Sequence, residues 1–344
     1  MSKPSISAVI PTMGRPILAK TLDSLLETEG HEQLEIIIVG PIPPGPMLDH
    51  LNDLVRRHAP RIKHLPVFFK VGDASEKRNA GWRESHADII AFIDDDVYVP
   101  PHWTTKVLEA FAATDVGMVS GPSLVPTDIS RLARLAGLAL SSKAAGYVAG
   151  RYVKGSDLVK RVKWSRTIGC NMIFRRAAFN EVGGFDPNFY PGEEMMAAVA
   201  VQRHGHALVF HSDAYVFHYP KQTFRGFWKQ IFRYGATRIR LIRAGLDVEL
   251  TPLVPGVWVL SLVVLGLVAP FVQLAAWLLA LDLALYAVTD LWMTLNVVVE
   301  TKRPFDLLLF FINPFMHISY GVGIWYEVLR KNRDLGDQVG KPTT

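Results

Sequence analysis

Residues 253–299 carry only two charged side chains, Asp282 and Asp290, and no other property of the chain limits its folding so tightly. Averaged over 344 residues the composition is 49% hydrophobic and 20% charged, which excludes disordered, collagen-like and disulfide-framework classes. The average hides a partition: residues 1–252 bear charges throughout, and the apolar excess follows them. Roughly 20 apolar residues cross a hydrocarbon core of about 30 Å. Residues 253–271 meet that length without a charge and predict a transmembrane helix. A second candidate, 274–295, is joined to the first by Val272 and Gln273 alone after Pro270, so the two predict a tight hairpin. Asp282 and Asp290 weaken the second span, because a carboxylate near a helix centre costs about 2.5–3.5 kcal/mol on insertion scales. They read as helix-packing contacts or boundary positions, with an intramembrane site as the alternative. A third stretch, 305–328, is interrupted by Asp306, Asn313-Pro314 and His317 and predicts either a span or an interfacial helix.

Flanking charge gives an orientation. Lys221, Arg225, Lys229, Arg233, Arg238, Arg240 and Arg243 follow one another with no acidic residue between them, which places that side in the cytoplasm by the positive-inside rule. Lys302 and Arg303 agree, whereas Arg330, Lys331 and Arg333 conflict with a full third span. The same stretch places Phe224, Phe227, Trp228, Ile231, Phe232, Ile239 and Ile242 at helical spacing, and so predicts an amphipathic helix on an anionic membrane surface. These seven cations account for the net charge of +5, since the rest of the chain holds 30 basic against 32 acidic residues. The excess marks a membrane-facing collar and gives no reason to invoke nucleic acid. The opening Met1-Ser2-Lys3-Pro4 lacks the features of a secretory signal, so the first 250 residues are expected in the cytoplasm. Cys170 stands alone and reads as a small buried residue.

Ahead of the apolar block, strand and helix signals alternate. Strands are predicted over 6–10, 34–39, 88–93 and 116–120, with helices after the first strand and over 47–57, 76–85 and 103–113. Such alternation implies an α/β fold, a mostly parallel sheet covered by helices on both faces. In such sheets ligands bind beyond the carboxyl ends of the strands. Asp94, Asp95 and Asp96 stand directly after one of them. Three adjacent carboxylates repel one another, a situation relieved by solvent or by a cation, and their oxygens suit Mg²⁺ or Mn²⁺ held together with phosphates. Glu193-Glu194 opens a helix-like segment, where the macrodipole favours carboxylates; capping explains the pair, and general-base chemistry is the alternative.

Ile10-Pro11-Thr12, Arg78-Asn79-Ala80-Gly81, Phe92-Ile93-Asp94-Asp95-Asp96-Val97, Gly169-Cys170-Asn171-Met172, Gly183-Gly184-Phe185-Asp186 and Gly192-Glu193-Glu194 occur in that order. Together they resemble the inverting family-2 glycosyltransferases of the GT-A fold over about residues 5–220. Gln230-Ile231-Phe232-Arg233-Tyr234-Gly235 resembles the Gln-x-x-Arg-Trp region of membrane-bound synthases, with Tyr234 in the Trp place. With His317-Ile318-Ser319-Tyr320-Gly321 it looks most like membrane-associated enzymes that build exopolysaccharides or glycolipids.

The resemblance implies a Rossmann-like GT-A catalytic domain over 1–220, a basic juxtamembrane segment over 221–252, a transmembrane helical region over 253–328 and a polar tail over 329–344. It implies that Asp94 and Asp96 hold the metal on a nucleotide-diphosphate sugar, that Asp95 orients sugar or ribose, and that Glu194, beside Glu193, is the catalytic base. Pro11, Thr12, Arg15, Arg78 and Asn79 match the nucleotide neighbourhood, Asn171 the floor under the donor sugar, and Gln230 and Arg233 positions that approach the diphosphate or acceptor. The implied reaction is transfer to a lipid-linked, polyprenyl acceptor at the inner or plasma membrane, with the catalytic domain in the cytoplasm. A polyprenyl-phosphate glycosyl synthase and a non-catalytic membrane scaffold are the alternatives. Two departures stand out: the second strand runs into Gly40-Pro41-Ile42-Pro43 where the family carries an Asp on the nucleoside, and the helix after Glu194 is unusually apolar.

Overall fold

A computed structural model describes residues 5–70, 73–246 and 249–330. Lys331, Arg333 and all but the first two residues of the tail predicted over 329–344 lie outside them. The elements follow in the order β1 (Ile6–Pro11), α1 (Leu18–Glu27), β2 (Leu34–Val39), α2 (Pro46–His58), β3 (Ile62–Leu65), α3 (Asp73–Glu84), β4 (Ile89–Ile93), β5 (Val97–Tyr98) and α4 (Trp103–Ala110). Then come β6 (Val116–Ser120), β7 (Ser123–Leu124), α5 (Arg131–Ser141), β8 (Val159–Arg161), β9 (Asn171–Arg175), α6 (Arg176–Val182), α7 (Glu193–Arg203), β10 (Ala207–His211) and β11 (Val216–His218). The helices α8 (Phe224–Arg243), α9 (Val254–Val268), α10 (Gln273–Thr301) and α11 (Leu309–Leu329) complete the chain. Contacts divide it into two units: residues 1–126 with 150–219, and residues 127–149 with 220–344.

The first unit is built on a sheet of order β3-β2-β1-β4-β9-β6-β10-β8, with a small second sheet β5-β11-β7. The strand β2, Leu-Glu-Ile-Ile-Ile-Val, is buried at every position, as a parallel strand covered on both faces requires. The helix α1 lays Leu18, Leu22 and Leu25 on the core side. From β1 the chain passes to β2 and β3 on one side, then returns to place β4 on the other. This reversal opens a crevice at the carboxyl ends of β1 and β4, where Thr12 and Asp94 leave their strands. Strand β9 runs antiparallel between β4 and β6, with Asn171 opposite Ile93 at the same edge.

In the second unit Thr251–Val268, Gln273–Thr301 and Pro304–Leu329 are long and apolar enough to cross a membrane. The second of these helices runs six residues past the predicted end at 295. The polar residues that interrupt the apolar pattern meet one another. Ser261 Oγ donates to Asp282 at 2.9 Å, Asn313 Nδ2 to Asp290 at 2.7 Å, and Arg134 Nη2 and Thr301 Oγ1 to the buried Asp306 at 2.8 and 2.7 Å. Arg134 belongs to α5, so part of a segment expected in the first domain packs with these helices instead. The helix α8 has the predicted face, but most of that face is covered, with Phe224 and Ile242 at its two ends left exposed. Phe224 meets Phe315, Trp228 O accepts from Ser319 Oγ at 2.8 Å, Phe232 meets Tyr326, and Arg240 pairs with Glu327 at 3.2 Å. Contact numbers rise together along both helices, so α8 and α11 run parallel. A Cβ on Gly235 would lie 2.0 Å from Tyr320 O, so only glycine permits this approach.

Candidate active site

The crevice is assembled from the turns after β1 and β4. Thr12 Oγ1 donates to Asp95 Oδ2 at 2.6 Å and accepts the Gly14 amide at 2.9 Å. Lys77, 1% exposed, clamps the same turn by donating to Thr12 O at 2.9 Å and Asp73 Oδ2 at 2.6 Å. Arg15 pairs with Asp95 and donates from Nη1 to Asp96 Oδ2 at 2.9 Å. From β11, His218 Nε2 reaches the other oxygen, Asp96 Oδ1, at 3.1 Å. Burial alone would depress the His218 imidazolium, but Asp96, together with Cys170, holds its pKa well above the ordinary value.

A second line of charge runs through α3. Arg78 is buried, and its two terminal nitrogens diverge: Nη1 donates to Glu193 Oε1 at 2.8 Å and Nη2 to Asp94 Oδ1 at 2.9 Å. Its Nε is buried with no hydrogen-bond partner among the described residues. Burial raises the Asp94 carboxyl and the charge of Asp96 adds to this, against the pull of Arg78. Glu193 is 3% exposed and pushed up to about 7, first by burial and then by Glu194, despite its contact with Arg78. Next to it on α7, half-buried Glu194 makes no hydrogen bond among the described residues and lies against Gly169, where a Cβ would sit 3.4 Å from its Cγ.

The sequence pattern of "Glycosyl transferase family 2" matches residues 7–183, just over half of the chain and all but the first residue of this crevice's β1–β4 frame. The chain belongs to glycosyl transferase family 2. Its relatives include validoxylamine A glucosyltransferases of Streptomyces hygroscopicus subsp. limoneus and subsp. jinggangensis (strain 5008), each 32% identical over 116 residues. Those matches cover 32% of this chain and only 24% and 26% of the relatives, so the chain spans about a quarter of the length of the curated proteins it matches. Among solved structures, the mannosyltransferase PcManGT from Pyrobaculum calidifontis, in complex with GDP-Man and Mn²⁺, is 17% identical. It aligns over 96% of this chain and 89% of its own, with a TM-score of 0.62, a likeness of fold. The first unit of this family-2 chain thus has a GT-A-like, mostly parallel sheet.

The family-2 fold brings Thr12, Arg15, Arg78, Asp94, Asp95, Asp96, Glu193 and Glu194 to one carboxyl edge of the sheet. Pro11 ends β1 beside them. Arg78 has both terminal nitrogens engaged by protein, and Asn79 is likewise held: its Nδ2 donates to Phe185 O and its Oδ1 accepts the Phe185 amide, both at 2.8 Å. Asn171 is buried, donating Nδ2 to Ala214 O at 2.8 Å and leaving Oδ1 without a partner among the described residues. Gln230 and Arg233 lie on α8 in the second unit, where Gln230 Nε2 donates to Tyr234 Oη at 2.9 Å. Sequence reasoning missed Lys77 and His218; the alternating Val216-Phe217-His218 would have flagged a strand without its ion pair.

Among the described residues no three His, Cys, Asp or Glu side chains form a ready-made metal cluster. The donor set nevertheless fits a hard divalent ion. Asp94 and Asp96 are held close enough to repel, Asp94 keeps 30% side-chain exposure, and of the two cations on Asp96, Arg15 is 47% exposed and can swing aside while His218 stays on the other oxygen. One or two carboxylates completed by substrate phosphates is the usual protein share for Mg²⁺.

Proposed function

We propose that this chain is a membrane-anchored, inverting glycosyltransferase that moves a sugar from a nucleotide-diphosphate donor to a lipid-linked acceptor. The observation that carries the reading is the pair of opposed devices at one sheet edge: carboxylates crowded beside the exposed, displaceable Arg15, and Glu194 beside them with no hydrogen-bond partner among the described residues. Asp94 and Asp96 would hold Mg²⁺ or Mn²⁺, which when bound supplies Lewis-acid neutralisation of the leaving diphosphate. Thr12 and Lys77 fix the turn on which Arg15 is carried. Glu194 accepts the proton of an acceptor hydroxyl as its oxygen bonds to the anomeric carbon. The bond from that carbon to the diphosphate oxygen breaks on the opposite face, the nucleoside diphosphate departs, and configuration inverts. Arg78 holds Asp94 and Glu193 in place while charge shifts past them. The Mn²⁺ and GDP-Man in the PcManGT structure support a divalent ion and a nucleotide-sugar donor here.

The anchor is read from the helices. An α9–α10 hairpin spans the membrane. The helix α11 stays at its surface, because α8, parallel to it, carries Arg225, Lys229 and Arg233 exposed and cannot enter hydrocarbon. That arrangement lets Arg303 and Arg330 share the cytoplasmic side. Incubating the full chain in membranes with individual nucleotide-diphosphate sugars and Mg²⁺ or Mn²⁺, followed by mass analysis of lipids, tests the reading. A glycosylated lipid that disappears with EDTA is expected; transfer only to water-soluble acceptors contradicts it.

A further inference from the structure

The second unit encloses a cavity of about 550 Å³, within the range of ligand sites. Ile231 and Tyr234 of α8, Trp258 of α9, Tyr286 of α10, and Met316 and His317 of α11 form its walls. The walls are fixed by aromatic and hydrogen-bonded contacts. Trp258 stacks on Tyr286 with centroids 4.0 Å apart, and His317 Nε2 donates to Ala144 O at 2.8 Å while its Nδ1 accepts from Tyr286 Oη at 2.8 Å. The buried Trp258 Nε1 has no partner among the described residues. Leu285 and Thr289, also in the wall, are exposed on α10, so the cavity opens onto the apolar outer surface of the hairpin.

Two charge features select the occupant. The helix that supplies Ile231 and Tyr234 also carries exposed Arg225, Lys229 and Arg233, the last adjacent to Tyr234. The carboxylate in the wall is Asp282, held by Ser261. These cations lie on the exposed side of α8, turned away from the Ile231 face that lines the cavity, and Asp282 disfavours an anion towards α10, so the cavity itself suits a long apolar chain with an anion held outside it, beside α8. We propose that this cavity holds the head-proximal isoprenoid segment of the acceptor lipid, its phosphate facing the cations of α8. The assignment rests on the lipid-acceptor reading above and adds where the lipid sits.

The test uses the full chain in phosphatidylethanolamine–phosphatidylglycerol nanodiscs and a polyprenyl phosphate bearing a diazirine in its first isoprene units. Photo-adducts are expected on peptides containing Trp258, Tyr286 and Met316. Unlabelled polyprenyl phosphate should suppress them, and Ala145→Trp, which fills the cavity, should lower them about tenfold or more by removing apolar burial while nucleoside-diphosphate binding persists. Adducts confined to the outer positions Val257, Leu278 and Leu281, or equal suppression by excess phosphatidylglycerol, would overturn the assignment. The two readings fail separately. Cavity adducts without sugar transfer to any lipid remove the functional reading and leave the binding site, whereas lipid glycosylation undiminished by Ala145→Trp removes the site and leaves the function.

Discussion

Glu35 and Glu193 are buried to nearly the same degree, 4% and 3% exposed, in the same α/β unit, yet their surroundings drive them in opposite directions. Burial would raise the Glu35 carboxyl, but the Ser7 hydroxyl at 2.7 Å, the His86 amide at 2.9 Å and ring at 3.0 Å, and Lys63 at 3.1 Å hold it below its ordinary value. Among the described residues Glu193 has Arg78 as its one cationic partner, shares that partner with Asp94, and has Glu194 beside it. The first arrangement satisfies a carboxylate and stabilises the sheet; the second keeps one under tension, which is where chemistry is found.

Removing the shared cation is the harshest way to break this contrast. Arg78→Met strands Asp94 and Glu193 together, and loss of one partner from a buried ion pair costs about 3–5 kcal/mol, so the melting temperature should fall steeply. A small change in melting would mean that the carboxylates are solvated. Next in size is Glu35→Gln, which weakens charge-assisted bonds from three neighbours at a cost of about 1–3 kcal/mol while leaving transfer rates of the surviving folded protein unchanged. A selective loss of transfer would erase the distinction between the two glutamates. The sharpest test is one of sign. With a folded value about 7 against 4.5 unfolded, Glu193 keeps its proton in the folded state where the unfolded chain has lost it, so its contribution to stability falls as pH rises through that window. Glu35 acts oppositely, its contribution fading as pH drops below the ordinary carboxylate range. Melting of Glu193→Gln measured from pH 4.5 to 8 should lose the downward trend of the parent protein, and an unchanged slope would show that Glu193 is ionised throughout.

How much of this could be read from residues alone follows from the range of the interactions. Continuous apolar strands such as β2, the spacing of α8 and the placement of Asp94 to Asp96 after β4 are local, and each was legible. The contact between Arg78 and Glu193 joins residues 115 apart, and His218 meets Asp96 only because β11 pairs with β5, so no local pattern announced them. The same holds for α5: its apolar face resembles any sheet-covering helix, and long-range contacts, among them its ion pair from Arg134 to Asp306 and Arg131 over the Phe305 ring, assign it to the helical unit. Covering of the α8 face by α11 likewise depends on Gly235 and Gly323, whose missing side chains are a weak signal in sequence and decisive in packing.

The central claim is that Asp96 and Glu194 carry glycosyl transfer on a folded, membrane-held enzyme. Its most direct test is release of nucleoside diphosphate and formation of glycolipid by the parent chain, Asp96→Asn and Glu194→Gln, each purified in the same lipid and matched for melting temperature. The account predicts that both variants lose transfer by roughly 10²-fold or more, which for Glu194→Gln is the usual scale for removing a general base. It further predicts that Glu194→Gln still binds the nucleotide-sugar with Mn²⁺. Transfer at the parent rate by either variant would contradict it.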